Sequence, residues 1–241
     1  MKRLLAALLA LTLFLPTAAV AAGSLTVASG AGYKRMVNAL AAAYEARGGA
    51  TVDRVYGNMA QTLTQAKAGG VVDMVIGARY FLDKSGIAFA SMRSLGRGRL
   101  VVACAKGVTF ASADDLLGPE VTRIGIPDTK RAIYGRAALE YLQHTGLYDK
   151  IKNKLFMVAT IPQVSSYVIT GEVDMGFVNS THVLAVEDKI GGWGLAEEDK
   201  YEPIDIVIGV TPDAPHPDML QPFLDFLATD AARAIIRANG L

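Results

Sequence analysis

Cysteine is nearly absent from this 241-residue chain: Cys104 stands alone, so no internal disulfide can form and the fold must be held by burial. Histidine is scarce as well. The three histidines, His144, His182 and His216, are scattered, and none stands at metal-ligand spacing from another His or from Cys104, which argues against a zinc site and a Cys/His pair. A Gly-x-Ser-x-Gly elbow is also missing, so the commonest hydrolase arrangement has no foothold. An excess of one charge is lacking too. The 24 basic and 23 acidic residues leave a net charge of +1, without the broad basic field that nucleic acid requires. Neither a repeat period, a low-complexity tract nor a heptad is visible.

What is present begins at the N-terminus, where Lys2 and Arg3 precede an apolar run from Leu4 to Leu15, then Pro16 and the small residues Ala19-Val20-Ala21-Ala22. This is the pattern of a secretory signal peptide cleaved near Ala21 or Ala22, and the apolar run is short for a membrane span. Cleavage takes the basic residues from 24 to 22 against 23 acidic ones, so the mature charge becomes −1. The expected mature protein is periplasmic and a monomer, with no cysteine at the new N-terminus to carry a lipid. Cys104, inside the apolar run Leu100 to Ala105, reads as a buried strand position and not as a reactive thiol.

Downstream, strands and helices alternate. Leu25 to Ala28 reads as a strand, Gly30-Ala31-Gly32 as a turn, and Met36 to Ala46 as a helix with Val37, Leu40, Ala41 and Tyr44 on one face. Thr51 to Tyr56 is a second strand, Gly57-Asn58-Met59 a turn with Asn58 as N-cap, and Ala60 to Ala68 a helix closed by Gly69-Gly70. Asp73 to Gly77 is a nearly all-apolar third strand, the kind buried on both faces of a mainly parallel sheet. A second α/β unit follows Leu100 to Ala105. It contains a short helix at Asp114 to Leu117, a strand from Ile124 into Pro127, a turn at Ile133-Tyr134-Gly135 and a helix carrying Ala138, Leu139 and Leu142. A strand near Phe156 to Val158, a helix from Gln163 to Thr170 and a strand from Met175 to Val178 complete it. Ile204 to Thr211 is a further β-rich run, and Pro222 to Asn239 reads as a terminal helical region. Two lobes are predicted: residues 23–102 with 206–241, and residues 103–205.

The turns at Gly30 to Gly32, Gly57 to Met59 and Ile133 to Gly135 each stand between a strand and a helix start, where backbone N–H groups and the helix dipole favour an anion. In open α/β sheets ligands sit beyond the carboxyl ends of the strands, and two such crevices facing each other make a cleft. At this point the chain resembles a known family, the periplasmic molybdate-binding proteins of ABC importers, with the type II periplasmic-binding fold. The resemblance spans most of the mature chain. Its carriers are Tyr134-Gly135-Arg136-Ala137-Ala138 with Leu142, Gly146-Leu147-Tyr148-Asp149-Lys150, Gly171-Glu172-Val173-Asp174-Met175-Gly176, and Gly69-Gly70-Val71-Val72-Asp73.

The resemblance implies an oxyanion, molybdate or tungstate, held without a counter-ion or cofactor and delivered to a membrane ABC permease. It places the family's first serine at or near Ala31, beside Gly30 and with Ser29 as an alternative hydroxyl, and the second at Asn58 or Met59. Backbone donors fall at Tyr134 and Ile161, and the family's tyrosine falls at Asn179. A hydroxyl lost from a dry pocket removes a charge-assisted bond of about 1.5–3 kcal/mol, so these exchanges bear on which anion fits. Asn58 and Asn179 can donate through their amides but also present an acceptor oxygen that must turn away from an anion. Arg79, beyond the strand Asp73 to Gly77, is positioned to add positive charge at the cleft rim. Other readings stay open: another anion or a small polar organic ligand, an exported enzyme on the same fold, or a receptor-coupled sensor domain. His182 is the one histidine near the proposed pocket, with a capping or loop role favoured over catalysis. Binding predicts hinge closure about the strands near Leu100 to Ala105 and Ile204 to Val210.

Overall fold

A computed structural model describes residues 23–241, and the expected signal peptide at 1–22 lies outside the described residues. The strands are β1 (Leu25–Gly30), β2 (Val52–Gly57), β3 (Met74–Ala78), β4 (Ser91–Gly98), β5 (Leu100–Cys104), β6 (Ile124–Pro127), β7 (Leu155–Val158), β8 (Met175–Asn179), β9 (Gly192–Leu195) and β10 (Ile204–Val210). The helices are α1 (Lys34–Glu45), α2 (Met59–Lys67), α3 (Arg79–Asp83), α4 (Ile133–His144), α5 (Tyr148–Ile151), α6 (Ile161–Thr170), α7 (Ser180–Val183), α8 (Pro217–Leu227) and α9 (Asp230–Ala238).

They build two five-stranded sheets with the same layout, β2-β1-β3-β10-β4 and β7-β6-β8-β5-β9. In the first, β1 runs parallel to β2 and β3, while β10 runs antiparallel to both β3 and β4. In the second, β6 runs parallel to β7 and β8, while β5 runs antiparallel to β8 and β9. Four strands of each sheet therefore point one way and one is reversed, the mainly parallel two-lobe α/β fold expected from the apolar runs. Burial explains those runs: β3, β5, β6 and β8 are buried at every position, as strands covered by helices on both faces must be.

The reversed strands are the ones the chain adds just after crossing between lobes: β5 on entering the second sheet and β10 on returning to the first. β4 closes the first sheet at Gly98, and after Arg99 alone β5 begins pairing in the second, Leu100 against Asn179. The boundary expected after residue 102 therefore falls inside a strand whose five residues all pair with β8, and the crossing is at Arg99. The return runs from β9 to β10, which pairs in the first sheet from Ile204 onward, two residues before the expected boundary. The C-terminal helices join the first lobe by aromatic packing: Tyr44 of α1 lies 5.1 Å from the Phe223 ring and 5.5 Å from that of Phe226. The helical region expected from Pro222 to Asn239 is two helices. Thr229 separates them by accepting the Ala232 N–H at 3.2 Å, an N-cap that restarts the chain after α8.

Two buried groups stand out in the frame. The fully buried Asp73 carboxylate accepts the N–H of Thr26 and of His216 at 2.8 Å each and faces His216 Nδ1 at 3.0 Å, tying β1 to the loop before α8. Cys104 is fully buried in β5, and burial pushes its thiol up to about 11, so it is inert at neutral pH. Among the described residues no helix is long and apolar enough to cross a membrane.

Candidate functional site

Four helical starts converge on one small cavity between the sheets. Its first-lobe wall is Gly30, Ala31, Gly32 and Tyr33 after β1, with Gly57, Asn58 and Met59 after β2. Its second-lobe wall is Ala132, Ile133 and Tyr134 at the start of α4, with Thr160 and Ile161 at the start of α6. Every wall segment follows the carboxyl end of a strand. Met59, Ile133, Tyr134 and Ile161 occupy the first positions of their helices, where N–H groups have no intrahelical acceptor. None of the wall residues carries a charged side chain. Negative charge placed here would be met by backbone dipoles, each helix start supplying roughly half a positive charge.

The segment Ile133-Tyr134-Gly135 is not a turn before a helix but the first turn of α4, with Ala132 as its N-cap. Gly135 makes this fit: a Cβ there would run into the backbone carbonyl oxygens of Pro127 and Asp128. Its absence lets the α4 N-terminus sit directly on the end of β6.

Asn58 caps α2 reciprocally with Gln61. Its Oδ1 accepts the Gln61 N–H at 3.1 Å while Gln61 Oε1 accepts the Asn58 N–H at 2.9 Å. The acceptor oxygen is thereby turned to the helix, and Nδ2 points across the cleft to the Ala159 carbonyl at 3.5 Å. Thr160 and Gln163 use the same device on α6, Gln163 Oε1 accepting the Thr160 N–H at 3.1 Å.

Of the residues expected at the site, Gly30, Ala31, Asn58, Met59, Tyr134 and Ile161 line this cavity, whereas Ser29 and Asn179 do not. Ser29 is fully buried within β1, and its hydroxyl donates to the adjacent Gly30 carbonyl at 3.3 Å. Asn179, at the end of β8, lies behind the wall; its Nδ2 donates to the Gly32 carbonyl at 3.3 Å, and its buried Oδ1 has no partner among the described residues. Arg79 is likewise off the wall. Its Nε donates to Asp205 Oδ2 at 2.7 Å, which neutralises the rim charge expected of it.

Tyr33, Ala132 and Thr160 line the cavity without having been singled out beforehand. The Thr160-x-x-Gln163 spacing is a capping signature that could have marked Thr160. Tyr33 had no such signal, because its role depends on a partner 101 residues away: its hydroxyl meets that of Tyr134 at 2.7 Å. Both rings are fully buried, and burial holds both phenols above their ordinary range. His182 faces Ser165 with Nε2 to Oγ at 2.7 Å, while that hydroxyl donates to the Pro162 carbonyl at 3.0 Å. Burial pulls the His182 imidazole down to about 4, so it is neutral at physiological pH.

The sequence matches the model of the bacterial extracellular solute-binding proteins across residues 25–241. The chain belongs to that family. Among its relatives, the molybdate-binding protein ModA of Rhodobacter capsulatus is 28% identical over 225 residues, covering 91% of this chain and 88% of the relative. That of Azotobacter vinelandii is 34% identical over 164 residues, 66% of this chain and 64% of the relative. Among solved structures, the periplasmic molybdate-binding protein of Azotobacter vinelandii superposes with a TM-score of 0.80 at 24% identity, over 90% of this chain and 97% of that one. Solute-binding proteins are carriers that work outside the cytoplasm with a membrane permease, and they are not enzymes. The Ser165–His182 contact is accordingly structural.

Proposed function

We propose that this solute-binding protein captures molybdate, or the closely similar tungstate, in the interlobe cavity and hands it to the permease of an ABC importer. In this reading residues 1–22 direct export to the periplasm, the mature protein works as a monomer, and the ligand is held chiefly by the N–H groups of Ala31, Met59, Tyr134 and Ile161 with the Asn58 amide. The observation that carries the proposal is the convergence of helix starts from both lobes on a small cavity with no charged side chain on its wall. A fully ionised tetrahedral oxyanion satisfies many donors at once and needs no counter-ion there. The molybdate-binding relatives support the same ligand class.

Ala31, Met59, Ile133 and Ile161 also put apolar surface on the wall. That composition favours a second reading, a small organic anion whose apolar part lies against these side chains. A thermal-shift panel separates the two: a specific ligand at 100 times its dissociation constant stabilises the native state by about 2.7 kcal/mol. Molybdate and tungstate are expected to raise the melting temperature and sulfate to do so less. A shift with a small carboxylate or organic phosphate and none with molybdate would replace the first reading by the second.

A further inference from the structure

The bond between Tyr33 and Tyr134 joins the two lobes, not two parts of one. Tyr33 ends the turn after β1 in the first lobe, and Tyr134 is the second residue of α4 in the other. Their hydroxyls meet at 2.7 Å with both side chains about 1% exposed. The same two residues form part of the cavity wall, so a side-chain bond across the cleft fixes the spacing of the two backbone segments that face the ligand.

The surroundings are shaped for this contact. Gly98, the last residue before the chain crosses between lobes, leaves the space occupied by the Tyr134 hydroxyl, which any Cβ there would strike. Gly32, next to Tyr33, leaves space for the second lobe in the same way: a Cβ would lie 2.8 Å from Asn179 Oδ1 and 2.8 Å from Ile161 Cδ1. Asn179 then reaches back to the Gly32 carbonyl. Two glycines thus let phenol and amide pass between the lobes at the hinge end of the cleft.

We infer that Tyr33, Tyr134 and Asn179 form a hinge-side latch that holds the two lobes together before ligand arrives, making the tyrosines positioning residues for the anion cavity. The bond contributes to the closed arrangement whether or not the cavity is filled, so part of the cost of ordering the site is met by the chain itself. Buried and neutral, the pair works throughout the physiological pH range, because burial holds both phenols protonated. The closure part of the inference stands on contacts alone. Its consequence for affinity rests on the oxyanion reading given above.

The test uses the mature protein and the variants Tyr33→Phe, Tyr134→Phe, the double phenylalanine variant and Gly32→Ala. Small-angle scattering without ligand is expected to give a compact particle for the parent and a larger radius of gyration for each single variant. The double variant should differ little from the singles, since both remove one shared bond. Gly32→Ala should open the cleft from the other side, as a wedge between lobes, while leaving each lobe folded by circular dichroism. Molybdate should bind the phenylalanine variants about three- to tenfold more weakly, the usual range for a lost neutral hydrogen bond, and saturating molybdate should return them to the parent radius. Equal ligand-free radii for the parent, both phenylalanine variants and Gly32→Ala would overturn the latch. Failure of the parent to bind molybdate would instead count against the ligand assignment and leave the scattering comparison decisive for the latch.

Discussion

Asn58 shows how much one side chain does at this site. It satisfies α2 through a reciprocal cap with Gln61, and it offers an amide donor at the cleft. Asn58→Ala is expected to cost about 1 kcal/mol for the lost cap, about 2–4 °C in melting temperature for a chain of this size. Calorimetry of the melt measures that loss, and a molybdate titration of the same variant should show weaker binding because the donor is gone as well. Gly135→Ala is expected to cost more, about 1–3 kcal/mol, since a Cβ collides with two backbone carbonyls that cannot rotate away. It should also weaken ligand binding by lifting the α4 N-terminus and its Tyr134 N–H off the end of β6. Unchanged affinity in Gly135→Ala would show that the position of α4 does not set the site. At this scale the sequence was readable where the signal is local. Asn58 could be read as a cap because Gln61 follows three residues later. Asn179 could not be read as an interlobe strut, because its acceptor, Gly32, is 147 residues away.

Among the elements, the strands buried on both faces were legible, as were the edge strands β2 and β7, but the edge strands β4 and β9 were not. β3 and β8 announce themselves as continuous apolar runs. β4 and β9 are edge strands: Arg93 and Arg97 break the apolar pattern of β4, and glycines alternate with Trp193 and Leu195 in β9. Charged and irregular edges of this sort discourage further strand pairing, which is why they do not read as strands. The start of α4 was misplaced because its cap, Ala132, offers no polar side chain to mark it. Element packing also sets a pH dependence. His182 on α7 is hydrogen-bonded to Ser165 of α6, the helix whose first residue is Ile161, and burial pulls this imidazole from 6.5 to about 4. The unfolded chain therefore takes up a proton below about pH 6.5 that the folded chain refuses until about pH 4. Stability from this group is complete above pH 6.5 and is lost as pH falls through that window, with a ceiling of about 3 kcal/mol. Urea unfolding at pH 7 and pH 4.5 should show the loss, and His182→Gln should flatten the difference between the two.

For the molecule as a whole, two sheets of matching layout, each with one reversed strand next to a crossing between lobes, place two sets of helix starts face to face. The two-lobe α/β fold and the family resemblance could both be read beforehand. The placement of the crossing at Arg99 could not, because Leu100 to Cys104 is equally apolar whichever sheet it joins, and only pairing with β8 decides. High pH should act on the whole molecule through its buried phenols. Tyr33 and Tyr134 are held protonated in the fold well beyond their ordinary range, so unfolded chains release protons above about pH 10 that folded chains retain. Stability is therefore intact below pH 10 and falls above it, and alkaline melts of Tyr33→Phe should fall less steeply than those of the parent.

The central claim is that one oxyanion is gripped from both lobes by backbone N–H groups. Co-crystallisation with molybdate, locating the metal by its anomalous scattering, tests it directly. The expected result is a single molybdenum peak in the interlobe cavity, its oxygens within hydrogen-bond distance of N–H groups on both sides, including those of Tyr134 and Ile161. A cavity without that peak at saturating molybdate, or an anion held by one lobe alone, would contradict it.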